Sequence, residues 1–223
     1  MTALRHLLCA APLLAALAVQ AQDADSTPSN PGPQALTGTL AQVHASGSIA
    51  LAYRGSSVPF SYLGAQGGQP IGYSIELCKA LVRAVEVAVQ RPLEIRWVPV
   101  TSATRMQAIV SGQADLECGS TTSNLERQKT VAFSPTIFVA GTRLLVRKGE
   151  GIRDWRDLAH KKVAVTAGTT NEQVMRNLSQ RLKVPMTLLV APDHAQAFAE
   201  VDSGAADAFA TDDVLLYGLV AQT

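Results

Sequence analysis

Strand-like and amphipathic segments alternate from residue 48 to the end of this chain, and that alternation restricts the fold more than any other property of the sequence. Residues 48–53 and 93–98 read as strands. Residues 73–90 are the clearest helix, with Leu77, Leu81, Val82, Val85 and Val89 on one face. A further helix ends near Ser111-Gly112, and a short apolar run follows at 114–118. A strand-like segment over 137–147 leads into a second alternation: a short helix at 154–158, strands at 162–166, 186–190 and 206–210, and helices opening near Thr169, Ala195 and Val214. Strands separated by helices at this spacing predict an α/β fold with mostly parallel sheets, in which ligands gather beyond the carboxyl ends of the strands. The expected organisation is lobe 1 over 37–140 and lobe 2 over 141–223, with a cleft between them.

The loops at those strand ends carry the chemistry. Gly119 breaks the apolar run into Ser120, Thr121, Thr122 and Ser123, and a helix carrying Arg127 follows. Ser123-x-x-Glu126 reads as a capping box, which puts Ser120 and Thr122 beside free backbone N–H groups and the positive end of the helix dipole. Such a loop suits a carboxylate. Thr169-x-x-Glu172 repeats the theme around Thr170. Arg54, Ser102 and Ser120 each follow a strand of the first half, and His194 and Asp212 each follow one of the second. Taken singly, these residues have plainer readings: Asp212 as a helix cap beside Asp213, His194 as a surface or core histidine, Arg54 and Arg105 as solvated charges.

Thr37 opens a short helix with Leu40 and Val43 inward and Ser46-Gly47 at its end. Pro59 excludes a central strand after Arg54, so 54–60 reads as a loop, and residues 60–62 and 70–73 as a small hairpin. The glycines between them lack the GxGxxG spacing of a dinucleotide site.

The chain has 223 residues, 47% hydrophobic and 17% charged, enough for a sizeable core. Residues 1–21 read as a secretory signal peptide: Arg5 and His6 precede an apolar run, and Val19-Gln20-Ala21 is a small-x-small cleavage pattern. Residues 22–36, rich in Asp, Ser, Asn and Pro, read as a disordered leader. Without Arg5, 18 Lys+Arg face 18 Asp+Glu, so nucleic acid is not an expected partner. Cys9 falls within the signal segment. Export permits a disulfide between Cys78, on a helix, and Cys118, at a strand end, but their spatial separation is not a property of the sequence. No CxxC or HExxH occurs and the four His are scattered, so neither a metal nor a cofactor is expected.

With these residues assembled, the chain resembles the periplasmic solute-binding proteins of polar amino acid ABC transporters, most of all their glutamate/aspartate-binding branch. The likeness runs from about Leu40 onward, strongest at 54–62, 117–143, 166–172 and 211–216. It implies a type II periplasmic-binding-protein fold, two α/β lobes closing on one ligand, in a monomer that serves inner-membrane permease subunits and has no catalytic residues. It also implies roles. Arg127, Thr122 and Thr170 would hold the ligand α-carboxylate, and Asp212 with Ser120 its α-ammonium. Arg54, Ser102, Arg105 and His194 would surround a side-chain carboxylate, with Phe60 as an apolar wall. Family members recross the hinge to complete lobe 1 with a further strand and helices, so the chain is expected to stop short of that return.

Two other functions compete. The same fold hosts periplasmic dehydratases of prephenate-like acids, and a sensor input domain would need a membrane or signalling segment downstream. A hydrolase triad of Ser120, His194 and Asp212 is disfavoured, because Gly-x-Ser-x-Gly is absent.

Overall fold

The computed structural model describes residues 35–64 and 67–223; the expected signal peptide and nearly all of the leader lie outside the described residues. Helix α1 (Gly38–Ser46) enters β1 (Ser48–Tyr53), whose Ile49, Ala50, Leu51 and Ala52 are all buried. An apolar run of this kind marks a strand covered on both faces. A small antiparallel sheet follows, of β2 (Ser56–Ser57), β3 (Ser61–Leu63) and β4 (Pro70–Ile71). Helix α2 (Tyr73–Val89), β5 (Glu94–Pro99), α3 (Arg105–Val110) and β6 (Leu116–Cys118) complete a three-stranded parallel sheet in the order β5-β1-β6.

Packing departs from the sequence reading in two helices. Val43 of α1 is buried but Leu40 is exposed, and Leu36, just ahead of the helix, packs against the same core as Val43. In α2 the inward face is Ile75, Cys78, Val82, Val85 and Val89, whereas Leu77 and Leu81 are exposed. Two ties set that rotation. The Cys78–Cys118 disulfide joins α2 to β6, and Ser74 Oγ donates to the Gly119 carbonyl at 2.8 Å.

Helix α4 (Leu125–Gln128) also differs from expectation. Its cap is Asn124, whose Oδ1 accepts from the Arg127 N–H at 2.9 Å, while Ser123 Oγ instead accepts from the Gln128 side chain. Asn124 has the extended backbone a capping residue needs, and its Oδ1 reaches the Arg127 N–H three residues on, so the helix starts one position later than a Ser123 cap over the Glu126 N–H would set it. The strand expected over 137–147 shrinks to β7 (Thr142–Val146). Residues 137–141 have no ladder partner among the described residues, and Ile137, Phe138 and Val139 are exposed.

In the second half, a 3-10 turn (Trp155–Leu158) capped by Asp154 precedes β8 (Lys162–Thr166), α5 (Thr170–Leu182), β9 (Thr187–Ala191), α6 (His194–Asp202), β10 (Ala208–Asp212) and α7 (Asp213–Val220). The sheet order is β7-β10-β8-β9, parallel except for the β7–β10 pair. Phe209, Val163, Val165 and Met175 are fully buried between this sheet and its helices. The architecture is thus two α/β lobes, each with a mostly or wholly parallel sheet. No helix among the described residues is long and apolar enough to cross a membrane.

Candidate functional site

Parallel strands end on the same side of their sheet, so the loops after them converge. In lobe 1, β1 delivers Arg54, β5 leads through residues 100–101 to Ser102 and then to Arg105 at the start of α3, and β6 delivers Ser120. In lobe 2, β8 leads to Thr170, β9 to His194, and β10 ends on Asp212. Arg105, Ser120, Thr122, Thr170, His194 and Asp212, with Asn171, Thr169 and Leu215, line one small pocket. It shares lining with a cavity of about 710 Å³ that reaches Phe60, Leu77, Leu81 and Phe138. The remaining predicted residues, Arg54, Ser102 and Arg127, are not among the residues that line either of these cavities.

Arg127 joins the two lobes. Its Nη1 donates to the Thr122 carbonyl at 2.8 Å and its Nη2 to the Gly168 carbonyl at 3.1 Å, beside a 3.3 Å contact between the Thr122 and Thr170 hydroxyls. Thr169 caps α5 by accepting from the Glu172 N–H, as the second capping box predicts, but the reciprocal half of the box is not formed: the Glu172 carboxylate accepts from the Gly168 N–H, and the Thr169 N–H goes to the Thr166 carbonyl. Burial lowers the Arg127 pKa, and the charge of Glu117 opposes the shift.

The other two arginines are almost completely enclosed. Arg54 is 1% exposed and Arg105 2%, yet Arg54 Nη1 and Nη2 and Arg105 Nε have no hydrogen-bond partner among the described residues. The buried Ser102 hydroxyl is also unpaired. Burying an unpaired guanidinium is unfavourable, and it pulls the Arg105 pKa down to about 10 and that of Arg54 down as well, with Glu117 the leading charge that opposes both shifts.

Across from them, His194 is 1% exposed, and its Nδ1 lies 2.8 Å from Thr166 Oγ1. Burial, then the nearby Arg54 and Arg105, hold its pKa well below 6.5, so the imidazole is neutral. Asp212 occupies the N-cap position of α7 but makes no capping bond; its Oδ1 accepts from Asn171 Nδ2 at 3.0 Å. The carboxylate therefore turns to the cleft rather than to its own helix. Burial raises its pKa, against the Asn171 hydrogen bond. Because His194 Nδ1 goes to Thr166 and Asp212 to Asn171, the Asp–His hydrogen bond of a hydrolase relay is not formed.

Sequence reasoning passed over Asn171, Thr166 and Glu117. Asn171 is buried and links Thr142, Thr211 and Asp212; its position directly after Thr170 in a hydroxyl-rich strand-to-helix loop was the available signal. Thr166 ends β8 as a buried hydroxyl, and Glu117 is an acidic residue inside an otherwise apolar strand. Among the described residues no group of acidic, His and Cys side chains is arranged to hold a metal ion.

Comparison with known proteins fits this geometry. The chain is 47% identical over 188 residues to the L-glutamate/L-aspartate-binding protein of Pseudomonas aeruginosa, covering 84% of this chain and 62% of that protein. It is 43% identical over 207 residues to the glutamate/aspartate import solute-binding protein of Salmonella typhimurium, covering 92% of this chain and 68% of that one. The chain thus spans about two thirds or less of the length of these relatives. Among solved structures, an ancestral amino acid-binding protein, a precursor of cyclohexadienyl dehydratase, superposes with a TM-score of 0.72 at 30% identity over 82% of this chain and 79% of its own. Residues 49–213 match the sequence pattern of one family throughout, and the chain accordingly belongs to the bacterial extracellular solute-binding proteins, family 3.

Proposed function

We propose that this protein captures glutamate or aspartate in the cleft between its lobes and delivers it to the permease subunits of an ABC importer in the inner membrane. The strongest support is the pair of enclosed guanidiniums, Arg54 and Arg105, of which Arg54 Nη1 and Nη2 and Arg105 Nε lack partners among the described residues, with Arg105 and the cleft-facing Asp212 lining one pocket. A planar carboxylate meets a guanidinium fork with two parallel hydrogen bonds, and a neutral amino acid would leave those charges uncompensated. Unpaired buried charge costs about 3–5 kcal/mol, or two to three decades of affinity.

In this reading Arg54, Ser102, Arg105 and the neutral His194 take the side-chain carboxylate. Arg127, Thr122 and Thr170 take the α-carboxylate. Asp212 and Ser120 take the ammonium, and Phe60 supplies an apolar wall. Arg127 already bridges Thr122 and Gly168, so it can hold the lobes together while its remaining donors meet the ligand. Residues 1–21 would direct export to the periplasm, where the protein acts as a monomer and performs no chemistry. The names of the two bacterial relatives support the same ligand class.

Calorimetry with L-glutamate, L-aspartate and L-glutamine tests this. Micromolar or tighter binding of an acidic amino acid is expected, with the amide weaker and with Arg127→Ala losing at least two decades. Failure to bind either acid would refute the assignment.

A further inference from the structure

The proposed ligand set leaves Glu117 without a role, although its carboxylate is held within the cleft. Thr121 Oγ1 donates to Glu117 Oε2 at 2.7 Å, while the buried Oε1 has no hydrogen-bond partner among the described residues. A methyl group added to Gly119 would collide with Glu117 Oε1 and lie 2.9 Å from Arg54 Cγ, so the carboxylate and the Arg54 side chain flank the same backbone position. That position is anchored, since Ser74 Oγ holds the Gly119 carbonyl and the disulfide fixes Cys118 beside it. Glu117 also lines the large cavity together with Arg105, Ser120 and Asp212.

We propose that Glu117 determines ligand charge: it is a fixed counter-charge, tethered by Thr121, that matches the cleft to ligands of net charge −1 and disfavours dianions. The inference rests on the reading of Arg54, Arg105, Arg127 and Asp212 as an amino acid site. Asp193, whose charge also reaches Arg54, caps α6 by accepting from the Gln196 N–H, and Asp115 accepts from the Ala50 N–H. With these two engaged by backbone and His194 neutral, three guanidiniums against the carboxylates of Glu117 and Asp212 leave one positive charge. An acidic amino acid, with two carboxylates and one ammonium, cancels it. Without Glu117 two positive charges would remain, which suits a dicarboxylate lacking the amine. The influence of Glu117 reaches all three arginines, for each of which it is the leading charge opposing the effect of burial. Its carboxylate forms no hydrogen bond with any of them among the described residues: Oε2 accepts from Thr121, and Oε1 has no partner.

Calorimetry of the protein with L-glutamate, glutarate and L-glutamine at low and moderate salt tests this. In Glu117→Gln, glutarate affinity is expected to rise about tenfold relative to that of glutamine, with a steeper dependence on salt. Thr121→Val, which removes the tether but not the charge, is expected to keep the original ranking. If Glu117→Gln does not fold, Glu117→Ser carries the same comparison. An unchanged ranking in the charge-removing variant, or the same change in Thr121→Val, overturns the counter-charge role while leaving the amino acid site intact. If the unaltered protein binds none of the three ligands, the amino acid reading falls and the inference falls with it.

Discussion

The Thr166 hydroxyl and the Nδ1 of His194, both buried, lie 2.8 Å apart where β8 and β9 end. The imidazole is thus fixed by lobe 2 while its pKa is depressed by burial and by two arginines of lobe 1. Between that depressed value and 6.5 the folded protein binds fewer protons than the unfolded chain, so stability rises with pH through this window. The contribution of neutral His194 is complete above pH 6.5 and is lost as pH falls through the depressed pKa. Thermal midpoints measured from pH 7.5 to 4.5 should therefore drop on acidification. His194→Gln, which can still bond Thr166, should flatten the drop; an equal slope in both proteins would remove His194 as its source.

Asp212 is expected to trade stability for function. Burial raises its pKa above 3.8, so between these values the folded protein binds more protons than the unfolded chain and stability falls as pH rises through the window. At neutral pH the ionised carboxylate is a net cost to the empty protein. Asp212→Asn should raise the thermal midpoint by roughly 2–4 °C. It should also weaken an acidic amino acid by two decades or more, because a buried ammonium loses its counter-charge, typically about 2–5 kcal/mol. A variant that melts lower and binds equally well would contradict both halves.

The disulfide between Cys78 and Cys118 closes a loop of 40 residues that contains β5 and α3. Restricting the unfolded chain over that length stabilises the fold by about 4 kcal/mol in the loop-entropy account. Reduction under native buffer, or Cys78→Ala with Cys118→Ala, should lower the denaturant midpoint accordingly and shift the position of α2. Affinity should fall too, because Cys118 precedes Gly119 and Ser120 at the end of β6. Equal affinity in reduced and oxidised protein would show that α2 and β6 keep their positions without the bond.

Much of the fold was legible because parallel strands buried on both faces leave continuous apolar runs. The bounds of β1, 48–53, follow from its sequence alone, and the alternation of elements places Arg54, Ser102, Ser120, His194 and Asp212 at strand ends before any coordinates are known. What failed to show depends on partners distant in sequence. Leu77 and Leu81 look as core-like as Val82, and only the tie from Cys78 to β6 decides which stripe of α2 turns inward. Residues 137–141 have strand composition, but a strand also needs an adjacent ladder, and none pairs with them among the described residues. Glu117 and Asn171 escaped notice for a related reason. Their importance lies in which charges and amides surround them, and no spacing pattern encodes that.

Gly168 brings the backbone of lobe 2 against that of lobe 1. Its φ is +72°, and a Cβ there would sit 2.7 Å from Ala103 Cα and 3.1 Å from the Ser102 carbonyl oxygen, while its own carbonyl receives Arg127 Nη2. Alanine at this site would bring two separable costs. Left-handed backbone is unfavourable for a residue with a side chain by about 1–2 kcal/mol. The collision, being with backbone rather than with the end of a flexible side chain, must also push the lobes apart and stretch the Arg127 bridge. Gly151 provides the control, because its φ is also +72° but a Cβ there meets nothing within 4 Å. Both Gly168→Ala and Gly151→Ala should lose similar stability from strain, whereas Gly168→Ala alone should weaken an acidic amino acid by tenfold or more in calorimetry. If the two variants bind equally tightly, closure against Ala103 has no part in holding the ligand, and Arg127 must act from its own lobe.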